Sequence, residues 1–459
     1  MEINKNIFRE YDIRGIYGEE LNDELAYYIG LSYGTKLQEF NKHETVLGYD
    51  NRLSSESLAE SMLDGLLDSG INVKYLGLVT TPMCYFASDF LNTKASMMIT
   101  ASHNPKEYNG FKFSYNGIHN AYGESVYEIY DMIINKKYIK KEKGKYEKVD
   151  IKNEYIKLLL NKISLGDKKL KVIYDCGNGT TSIVANDVFN KLNANMIGIC
   201  NESDGRFPIH HPDPCVEENL TLLKEKVLSE HADLGIGFDG DGDRLGVISE
   251  KGEFIPMDKY MIIMWRDLYN KVDNKKALFD VKCTKALEDE LIKLGIEPTC
   301  YRTGNSYTKA KSYEGNYPLG GELSGHIYFR DKWPGYDDGI YAGLRLIELL
   351  SHSGKLLSEL LNGIHNYYST PELKEKVTDN IKFEIVDKIK EYVISKGYKY
   401  IDIDGVRANF EDGWALVRAS NTGPNITMRF EAQTKERLAE IQKEFTDILH
   451  KEINELSKN

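Results

Sequence analysis

The sequence contains few cysteines, and they form no dense framework. The six cysteines are scattered over 459 residues without a CxxC pair, at Cys84, Cys176, Cys200, Cys215, Cys283 and Cys300. In a chain of this length, this usage predicts reduced thiols in a cytoplasmic protein and excludes a small disulfide-stabilised secreted scaffold.

Long hydrophobic runs and a signal-peptide pattern are also absent. No apolar run approaches the roughly 18 residues of a membrane-spanning helix. The N-terminal stretch MEINKNIFREYDIRG lacks the apolar core of a secretory signal. These absences predict a soluble protein with no membrane partner.

An excess of basic residues is absent too. The 59 Lys and Arg residues are outnumbered by 71 Asp and Glu residues, which gives a net charge of −12. This balance argues against a nucleic-acid partner, because phosphate backbones attract basic surfaces. A small anionic substrate needs only a local positive site and stays compatible. The length predicts three or four domains.

A strand–helix–strand–helix–strand order occurs three times along the chain. Each copy begins with a short apolar run that ends in aspartate: VLGYD at Asp50, KVIYD at Asp175 and KALFD at Asp280. Each copy ends in an apolar run and a polar cluster: SMMIT before ASHNP, DLGIGF before DGDGDR, and YPLG before GELSGH. This order predicts three similar α/β domains with mixed, largely parallel sheets. Because such sheets bind ligands at the carboxyl ends of their strands, we expect the three clusters to face one central cleft.

The last ninety residues break this pattern. The segment from Tyr398 to Ala432 alternates like an antiparallel meander, with turns at 411–413 and 421–424, and a helical segment follows it. This part is predicted to be a separate C-terminal α+β domain. The predicted domain boundaries are 1–146, 147–253, 254–367 and 368–459.

Two of the clusters carry residue types suited to phosphate and metal chemistry. DGDGDR places Asp239, Asp241 and Asp243 at alternate positions. Three adjacent carboxylates repel each other unless a cation neutralises them, and all-oxygen ligands select a hard ion such as Mg²⁺. Ser102 directly follows a buried strand and precedes His103. A serine facing a Mg²⁺ site and basic groups favours phosphoryl transfer, which depends on neutralising and aligning charge.

Other motifs add candidates for sugar and phosphate contacts. GELSGH offers Glu322, Ser324 and His326, and a carboxylate with a hydroxyl suits the vicinal hydroxyls of a sugar. RASNTGPN combines a guanidinium, hydroxyls and an NH-rich turn, which suit a phosphate. Its candidates are Arg418, Ser420, Asn421, Thr422 and Gly423. The segments REYDIRG and RTGNSYTK add the basic residues Arg9, Arg14, Arg302 and Lys309.

Four motifs in this order, TASHNP, DGDGDR, GELSGH and RASNTGPN, resemble those of the α-D-phosphohexomutase family. The resemblance spans almost the whole chain. It is greatest to the bacterial phosphomannomutase/phosphoglucomutase branch, whose sugar loop usually reads GEMSG. The family interconverts hexose 1-phosphates and hexose 6-phosphates through phosphoserine and a hexose 1,6-bisphosphate. The resemblance therefore implies hexose phosphate substrates, with mannose or glucose as the sugar, Mg²⁺ as cofactor, and glucose 1,6-bisphosphate or a similar compound as activator.

The resemblance also implies a role for each site residue. Ser102 carries the phosphate as phosphoserine, and an oxygen of that phosphate joins the three aspartates on Mg²⁺. Glu322 and Ser324 read sugar hydroxyls, and the RASNTGPN residues bind the distal phosphate. The remaining active-site positions implied by the family are Arg14, His103, Lys112, Arg244, Lys309 and His326. Among them, His103 and Lys112 are the candidates for proton transfer or charge stabilisation.

Three alternative functions stay open at this point. A phosphoglucosamine mutase is the nearest, although that branch typically has Gln at the second position of the sugar loop. A metal-dependent phosphatase that uses Ser102 as nucleophile is the second, although the ten histidines form no cluster in the sequence. A catalytically silent sugar-phosphate binding protein is the third, and it has no need of Ser102. The sequence carries no signal for an oligomeric state.

Overall fold

The computed structural model, which describes residues 3–378, 380–420 and 423–456, arranges the chain around four sheets. The strands of the first sheet are β1 (Ile13–Ile16), β2 (Glu44–Tyr49), β3 (Asn72–Leu78), β4 (Ser96–Ile99), β5 (Tyr108–Asn116), β6 (His119–Asn120) and β7 (Tyr146–Lys148). Its helices are α1 (Asp23–Glu39), α2 (Ser55–Asp68), α3 (Thr81–Phe90) and α4 (Glu124–Ile134). The strand order is β1-β5-β4-β2-β3-β7, with β6 paired to β5.

Helix α2 illustrates why these residues form these elements. Leu58, Met62 and Leu66 recur every four residues, and all three are fully buried on the core face. Gly70 has a φ of +85°, the left-handed conformation in which glycine commonly ends a helix. Gly65 lets α2 approach α1 closely, because a Cβ there would lie 2.1 Å from the carbonyl oxygen of Tyr27.

The second unit repeats this arrangement. Its helices are α5 (Lys152–Asn161), α6 (Ala185–Phe189) and α7 (Thr221–Ser229), and its strands are β8 (Lys171–Asp175), β9 (Asn195–Ile199), β10 (Leu234–Phe238), β11 (Leu245–Ser249) and β12 (Phe254–Ile255). The strand order is β12-β11-β10-β8-β9. Short 3₁₀ helices occur at Lys5–Ile7, Thr180–Ile183 and Glu217–Leu220.

The third unit has a smaller sheet of four strands in the order β14-β13-β15-β16. These strands are β13 (Lys276–Asp280), β14 (Glu297–Tyr301), β15 (Leu319–Gly321) and β16 (Ile327–Phe329). Its helices are α8 (Met257–Leu268), α9 (Lys285–Lys293), α10 (Asn305–Glu314), α11 (Gly339–Ser353) and α12 (Leu357–Leu360).

The three sheets share one topology, which confirms the predicted repeat. The matching strands run β3-β2-β4-β5, β9-β8-β10-β11 and β14-β13-β15-β16. In each set the first three strands are parallel and the fourth is antiparallel. Each polar cluster is the loop between the third strand and its antiparallel neighbour. The sheets extend slightly past two predicted boundaries, because β7 continues to Lys148 and β12 to Ile255.

The fourth unit is an antiparallel sheet with two helices; the sheet and the C-terminal helix were predicted, and the helix over Lys382–Ser395 was not. Its strands are β17 (Tyr368–Ser369), β18 (Leu373–Lys376), β19 (Lys399–Ile401), β20 (Val406–Phe410), β21 (Gly413–Ala419) and β22 (Asn425–Ala432), and its helices are α13 (Lys382–Ser395) and α14 (Lys435–Leu456). The predicted meander is β20-β21-β22. Among the helices of the described ranges, none is both long and apolar enough to cross a membrane.

Different kinds of contact join the units. One continuous apolar core contains buried residues of the first three units, including Tyr85, Phe238 and Leu344. Among the described residues, the buried apolar cluster shared by the third and fourth units is small and consists of Val281, Trp414 and Leu416. The first three units therefore form one body, and the fourth is attached mainly through polar contacts.

Glu431, held by Trp414 of the same unit, makes one of these polar contacts. The Nε1–H of Trp414 donates to Oε1 of Glu431 at 2.8 Å, and the same oxygen accepts the amide of Lys285 at 2.7 Å. The guanidinium of Arg407 lies 4.4 Å from the Trp414 ring centroid. The buried Glu431 carboxylate therefore joins the third and fourth units.

We predict that Trp414→Phe lowers the urea midpoint of unfolding by the equivalent of about 1–3 kcal/mol, because a buried carboxylate loses a donor. Trp333→Phe is the matched control. Trp333 is buried and stacks on Tyr341 at 3.9 Å, but its Nε1 has no hydrogen-bond partner in the part of the chain that the structure describes. Equal midpoint shifts in the two variants would contradict the role of the Glu431 contact.

Candidate active site

The polar clusters of the three repeats line one cleft, as the positions of the strand ends predict. The cleft holds a cavity of about 890 Å³ and is also lined by residues of the fourth unit. Its basic side chains are Arg9, Arg14, Lys112, Arg244, Lys282, Lys374, Arg418 and Arg429. A chain with a net charge of −12 thus concentrates cations at one place, which suits an anionic substrate.

Ser102 lies at the floor of this cleft with a strained backbone. Its φ is +50°, a conformation that non-glycine residues rarely adopt and that is often found at functional sites. The amide of Ser102 donates to Oγ1 of Thr100 at 2.8 Å. Its Oγ donates to Oδ2 of Asp239 at 2.8 Å and lies 3.2 Å from Nδ1 of His103. The loop therefore aims this hydroxyl directly at the predicted metal site.

Arg52 holds the Ser102 loop in this conformation, although no motif predicted it. Its guanidinium is 2% exposed and its Nε donates to Oδ2 of Asp50 at 3.1 Å. The Nη groups donate to backbone carbonyls of the loop, namely those of Ser102, Asn104, Pro105 and Tyr108, at 2.6–3.1 Å. The only signal in the sequence is a basic residue two positions after a strand-ending aspartate.

The three predicted metal ligands converge in the loop between β10 and β11. Carboxylate oxygens of Asp239, Asp241 and Asp243 lie within 4.8 Å of one another, and all three side chains are buried. Lys112 from β5 donates to Oδ2 of Asp241 at 2.8 Å and to Oδ2 of Asp243 at 2.7 Å. A cation of the first unit thus neutralises carboxylates of the second.

The charges of this group shift its pKa values in opposite directions. Burial and the two neighbouring carboxylates raise the pKa of Asp239 well above its usual value. Burial acts the same way on Asp241 and Asp243, but Lys112 outweighs it and lowers the pKa values of both. The site therefore holds more negative charge than Lys112 alone compensates.

These residues fit a hard divalent cation. Oδ1 of Asp241 and Oδ1 of Asp243 are buried and have no hydrogen-bond partner among the described residues. Unpartnered buried carboxylate oxygens are costly unless a cation binds them. The donor set contains only oxygen, which favours Mg²⁺ over softer ions.

A chain of buried polar contacts supports the cleft wall beside this site. Arg244 Nε donates to Nε2 of His326 at 3.2 Å, and Nδ1 of His326 lies 2.8 Å from Oδ2 of Asp337. Lys309 lies 3.3 Å from Oδ1 of Asp337 and 3.8 Å from the ring centroid of Tyr85. Because Asp337 only accepts, the proton of a neutral His326 lies on Nδ1, and its Nε2 accepts from Arg244.

Four of the described residues predicted as substrate contacts do not line the cavity, namely Arg302, Lys309, Ser420 and Gly423. Lys309 is fully buried and pairs with Asp337. The guanidinium carbon of Arg302 lies 3.9 Å from the ring centroid of Tyr307, which packs on the cleft-lining Tyr11. A basic residue beside a strand end therefore does not by itself identify a substrate contact.

Arg14 and His103 do lie in the cleft, beside Ser102. Arg14 donates to Oδ1 of Asn104 at 2.8 Å and to Asp12 at 2.5 Å. Burial, together with the nearby cations Arg244 and Arg14, lowers the pKa of His103 well below its usual value. Its surroundings therefore favour the neutral imidazole.

The predicted sugar-reading residues form a small polar group at the cleft wall. Glu322 Oε2 accepts from Oγ of Ser324 at 3.2 Å and from the amide of Gly304 at 3.4 Å. Burial raises the pKa of Glu322. A buried carboxylate with few strong partners is suited to accept hydrogen bonds from ligand hydroxyls.

The fourth unit presents Arg418 to the cleft at the end of β21. Arg418 Nε donates to Oδ2 of Asp404 at 3.1 Å, and the nearby Lys282 pairs with Glu372 at 2.9 Å. Lys282, Glu372, Lys374 and Arg429 belong to no predicted motif. The turn after Arg418 is bound at its base, because Lys382 Nζ donates to the carbonyl oxygens of Ser420 at 2.7 Å and Gly423 at 3.3 Å. Asn421 and Thr422 lie outside the described residues.

Family models match successive parts of the chain. They are phosphoglucomutase/phosphomannomutase alpha/beta/alpha domain I at residues 5–139, domain II at 153–252, domain III at 256–368 and the C-terminal domain at 372–448.

Full-length relatives and a solved structure agree with these matches. A phosphomannomutase/phosphoglucomutase of Pseudomonas syringae pv. tomato is 40% identical over 451 residues, which cover 98% of this chain and 96% of that protein. A phosphoglucomutase of Neisseria gonorrhoeae is 37% identical, with 97% of both chains covered. A crystal structure of a phosphoglucomutase/phosphomannomutase family protein from Burkholderia thailandensis superposes with a TM-score of 0.91 at 35% identity, covering 98% of each chain.

We predict that Arg52→Lys loosens the Ser102 loop, because an ammonium cannot reproduce the forked contacts of a guanidinium. A lost charged hydrogen bond costs about 1.5–3 kcal/mol, so the amides of residues 102–108 should exchange with deuterium at least about tenfold faster. The matched control is Arg206→Lys, because Arg206 pairs with Asp204 on the surface. Unchanged exchange in Arg52→Lys would contradict the clamping role.

Proposed function

This chain belongs to the phosphoglucomutase/phosphomannomutase family, and from that premise we propose that it interconverts hexose 1-phosphates and hexose 6-phosphates, with mannose or glucose as the sugar. Such an enzyme is an isomerase, because its substrate and product differ only in which sugar hydroxyl carries the phosphoryl group. The observation that carries the proposal is the placement of Ser102 Oγ, 2.8 Å from Asp239, at the floor of a cleft rich in basic side chains.

In the proposed reaction, Ser102 begins as phosphoserine. The free hydroxyl oxygen of the bound hexose phosphate attacks the phosphorus, the bond between phosphorus and Ser102 Oγ breaks, and a hexose 1,6-bisphosphate results. The proton of the attacking hydroxyl passes to a base in the cleft, and the neutral His103 is the candidate nearest to Ser102 Oγ. After the bisphosphate turns end for end, Ser102 Oγ takes the other phosphoryl group and the released sugar oxygen regains a proton.

We propose that Asp239, Asp241 and Asp243 hold Mg²⁺ together with an oxygen of the Ser102 phosphate. The ion supplies neutralisation of the phosphoryl charge and Lewis-acid polarisation. Lys112 sits on the same carboxylates and is placed to stabilise charge as the phosphoryl group moves. Arg14 and Arg244 line the cleft beside Ser102 and are placed to bind phosphoryl oxygens.

The opposite wall is proposed to bind the rest of the substrate. Glu322 and Ser324 face the cleft as a carboxylate and hydroxyl pair suited to sugar hydroxyls. Arg418, with Ser420, Asn421, Thr422 and Gly423 of its turn, is proposed to bind whichever phosphate is not reacting. The activator of the unphosphorylated enzyme is then glucose 1,6-bisphosphate or a similar compound. All six cysteines are free, which supports the expected cytoplasmic location.

We predict that the wild-type protein converts glucose 1-phosphate into glucose 6-phosphate when Mg²⁺ and a trace of glucose 1,6-bisphosphate are supplied, and that excess chelator stops the conversion. Ser102→Ala should lose several orders of magnitude in turnover, as other enzymes do without their nucleophile. It should also lack the phosphate adduct that intact-mass measurement detects in the wild type.

Ser88→Ala is the matched control, because the Ser88 hydroxyl is buried in the same unit without a hydrogen-bond partner among the described residues. Release of free phosphate instead of the isomer would indicate a phosphatase, and no product at all would indicate a binding protein. Mannose 1-phosphate and glucosamine 1-phosphate, assayed in parallel, identify the preferred sugar.

We predict that Arg418→Ala weakens the grip on the bisphosphate more than it damages phosphoryl transfer. Loss of one charge-assisted contact should cost about 1.5–3 kcal/mol, or roughly 10- to 150-fold in affinity. Bisphosphate should then escape during turnover and leave Ser102 unphosphorylated, so added glucose 1,6-bisphosphate should partly restore activity. The control is Arg437→Ala, because Arg437 lies on α14 and pairs with Asp412. Wild-type activity of Arg418→Ala without added bisphosphate would contradict the prediction.

A further inference from the structure

A second cluster of metal-binding side chains lies in the second unit, apart from the three aspartates of the cleft. Asp175 ends β8, Cys200 follows β9 directly, and His210 lies in the long loop that leads to α7. One ligand atom from each of these residues lies within 4.8 Å of the other two. Nε2 of His210 and Oδ2 of Asp175 are 3.0 Å apart.

Surrounding groups orient these donors toward one point. Nδ1 of His210 lies 3.0 Å from the carbonyl oxygen of His211, which fixes the proton on Nδ1 and leaves Nε2 to the cluster. Oδ1 of Asp175 accepts the amide of Gly177 at 2.8 Å, which leaves Oδ2 to the cluster. Such supporting contacts are typical of metal-ligating histidines and carboxylates.

The backbone conformation at Cys200 is unusual. Cys200 has a φ of +50°, which a non-glycine residue rarely adopts. Its carbonyl oxygen accepts the amide of Asn178 at 3.0 Å, so the turn that carries the thiol is bound to the loop after β8. The thiol sulfur of Cys200 lies within 4.8 Å of a ligand atom of both His210 and Asp175.

We propose that Asp175, Cys200 and His210 bind one transition-metal ion of the Zn²⁺ type. Thiolate and imidazole ligands select ions of this class over Mg²⁺. Three protein ligands leave a fourth tetrahedral position for water. This inference does not depend on the proposed mutase reaction.

Metal at this position would fix a loop that reaches the cleft. The same loop carries Asp213, which lines the cleft and acts electrostatically on Arg244. It also carries Phe207, whose ring centroid lies 5.2 Å from the guanidinium carbon of Arg52. The proposed site thus supports the loop that packs against Arg52, the residue that holds the Ser102 loop.

Cobalt provides a test whose readout is independent of activity. The reduced, full-length protein is stripped with chelator, supplied with excess Mg²⁺ to occupy the oxygen-only site, and titrated with CoCl₂. We expect a thiolate-to-cobalt charge-transfer band that saturates at one equivalent and disappears on addition of one equivalent of ZnCl₂. The cleft aspartates contain no sulfur and cannot produce this band.

The variants assign the ligands. Cys200→Ser should abolish the band, and Cys300→Ser, at the partly buried cysteine beside Arg407, should keep it. His210→Gln keeps a donor to Asp175 and should weaken cobalt binding at least about tenfold. If Cys200→Ser fails to fold, the cobalt affinity of His210→Gln tests the ligand assignment instead. No thiolate band in the wild type overturns the proposal, as does full-strength cobalt binding in either cluster variant. If His210→Gln lowers the melting temperature but the wild type binds no cobalt, His210 and Asp175 form only an ion pair, and the metal proposal is wrong.

Discussion

The structure depends above all on neutralising three carboxylates that are buried in one loop. Two unit charges 4 Å apart interact by about 4 kcal/mol at an effective dielectric constant of 20, so Asp239, Asp241 and Asp243 cannot remain together unaided. Lys112 and the hydroxyl of Thr81 both donate to this group from the first unit. The loop of the second unit is therefore stable only where the first unit supplies these donors. This requirement fixes how the first two units meet, and it places Ser102 against Asp239.

Charge pairing continues outward from that centre. Arg244, which follows the aspartate loop, donates to His326, and His326 contacts Asp337. The buried Lys309 neutralises Asp337. Each buried charge has an opposite charge beside it, as buried ionic groups require. The lysines and arginines that line the cleft come from all four units and outnumber its acidic side chains, so the cleft suits a phosphate-bearing ligand.

The sequence was sufficient to predict features encoded within a few residues. The nine strand runs of the repeat and the alternating aspartates each carry their own local pattern, and the structure contains them where expected. Arg52 was not predictable, because its role arises only when the chain folds back and brings a loop 50 residues away onto its guanidinium. Lys309 and Arg302 were predicted as substrate contacts from their position after a strand. Their contacts with Asp337 and Tyr307 could not be predicted, because no sequence motif marks these partners. Burial and stacking are decided by tertiary packing.

The attachment of the fourth unit suits the motion that the proposed reaction needs. Its apolar contact with the third unit is small, and the polar contacts between the two units include the ion pair of Lys282 with Glu372 and the hydrogen bond from the amide of Thr303 to Asp404 at 3.1 Å. Interfaces of this kind allow relative motion of domains by default. A bisphosphate that turns end for end must release one set of contacts while the enzyme keeps hold of it. Because its buried apolar contact with the third unit is small, the fourth unit can move without exposing a large apolar surface. The first three units, in contrast, share one apolar core, which keeps Ser102 and the aspartates in register.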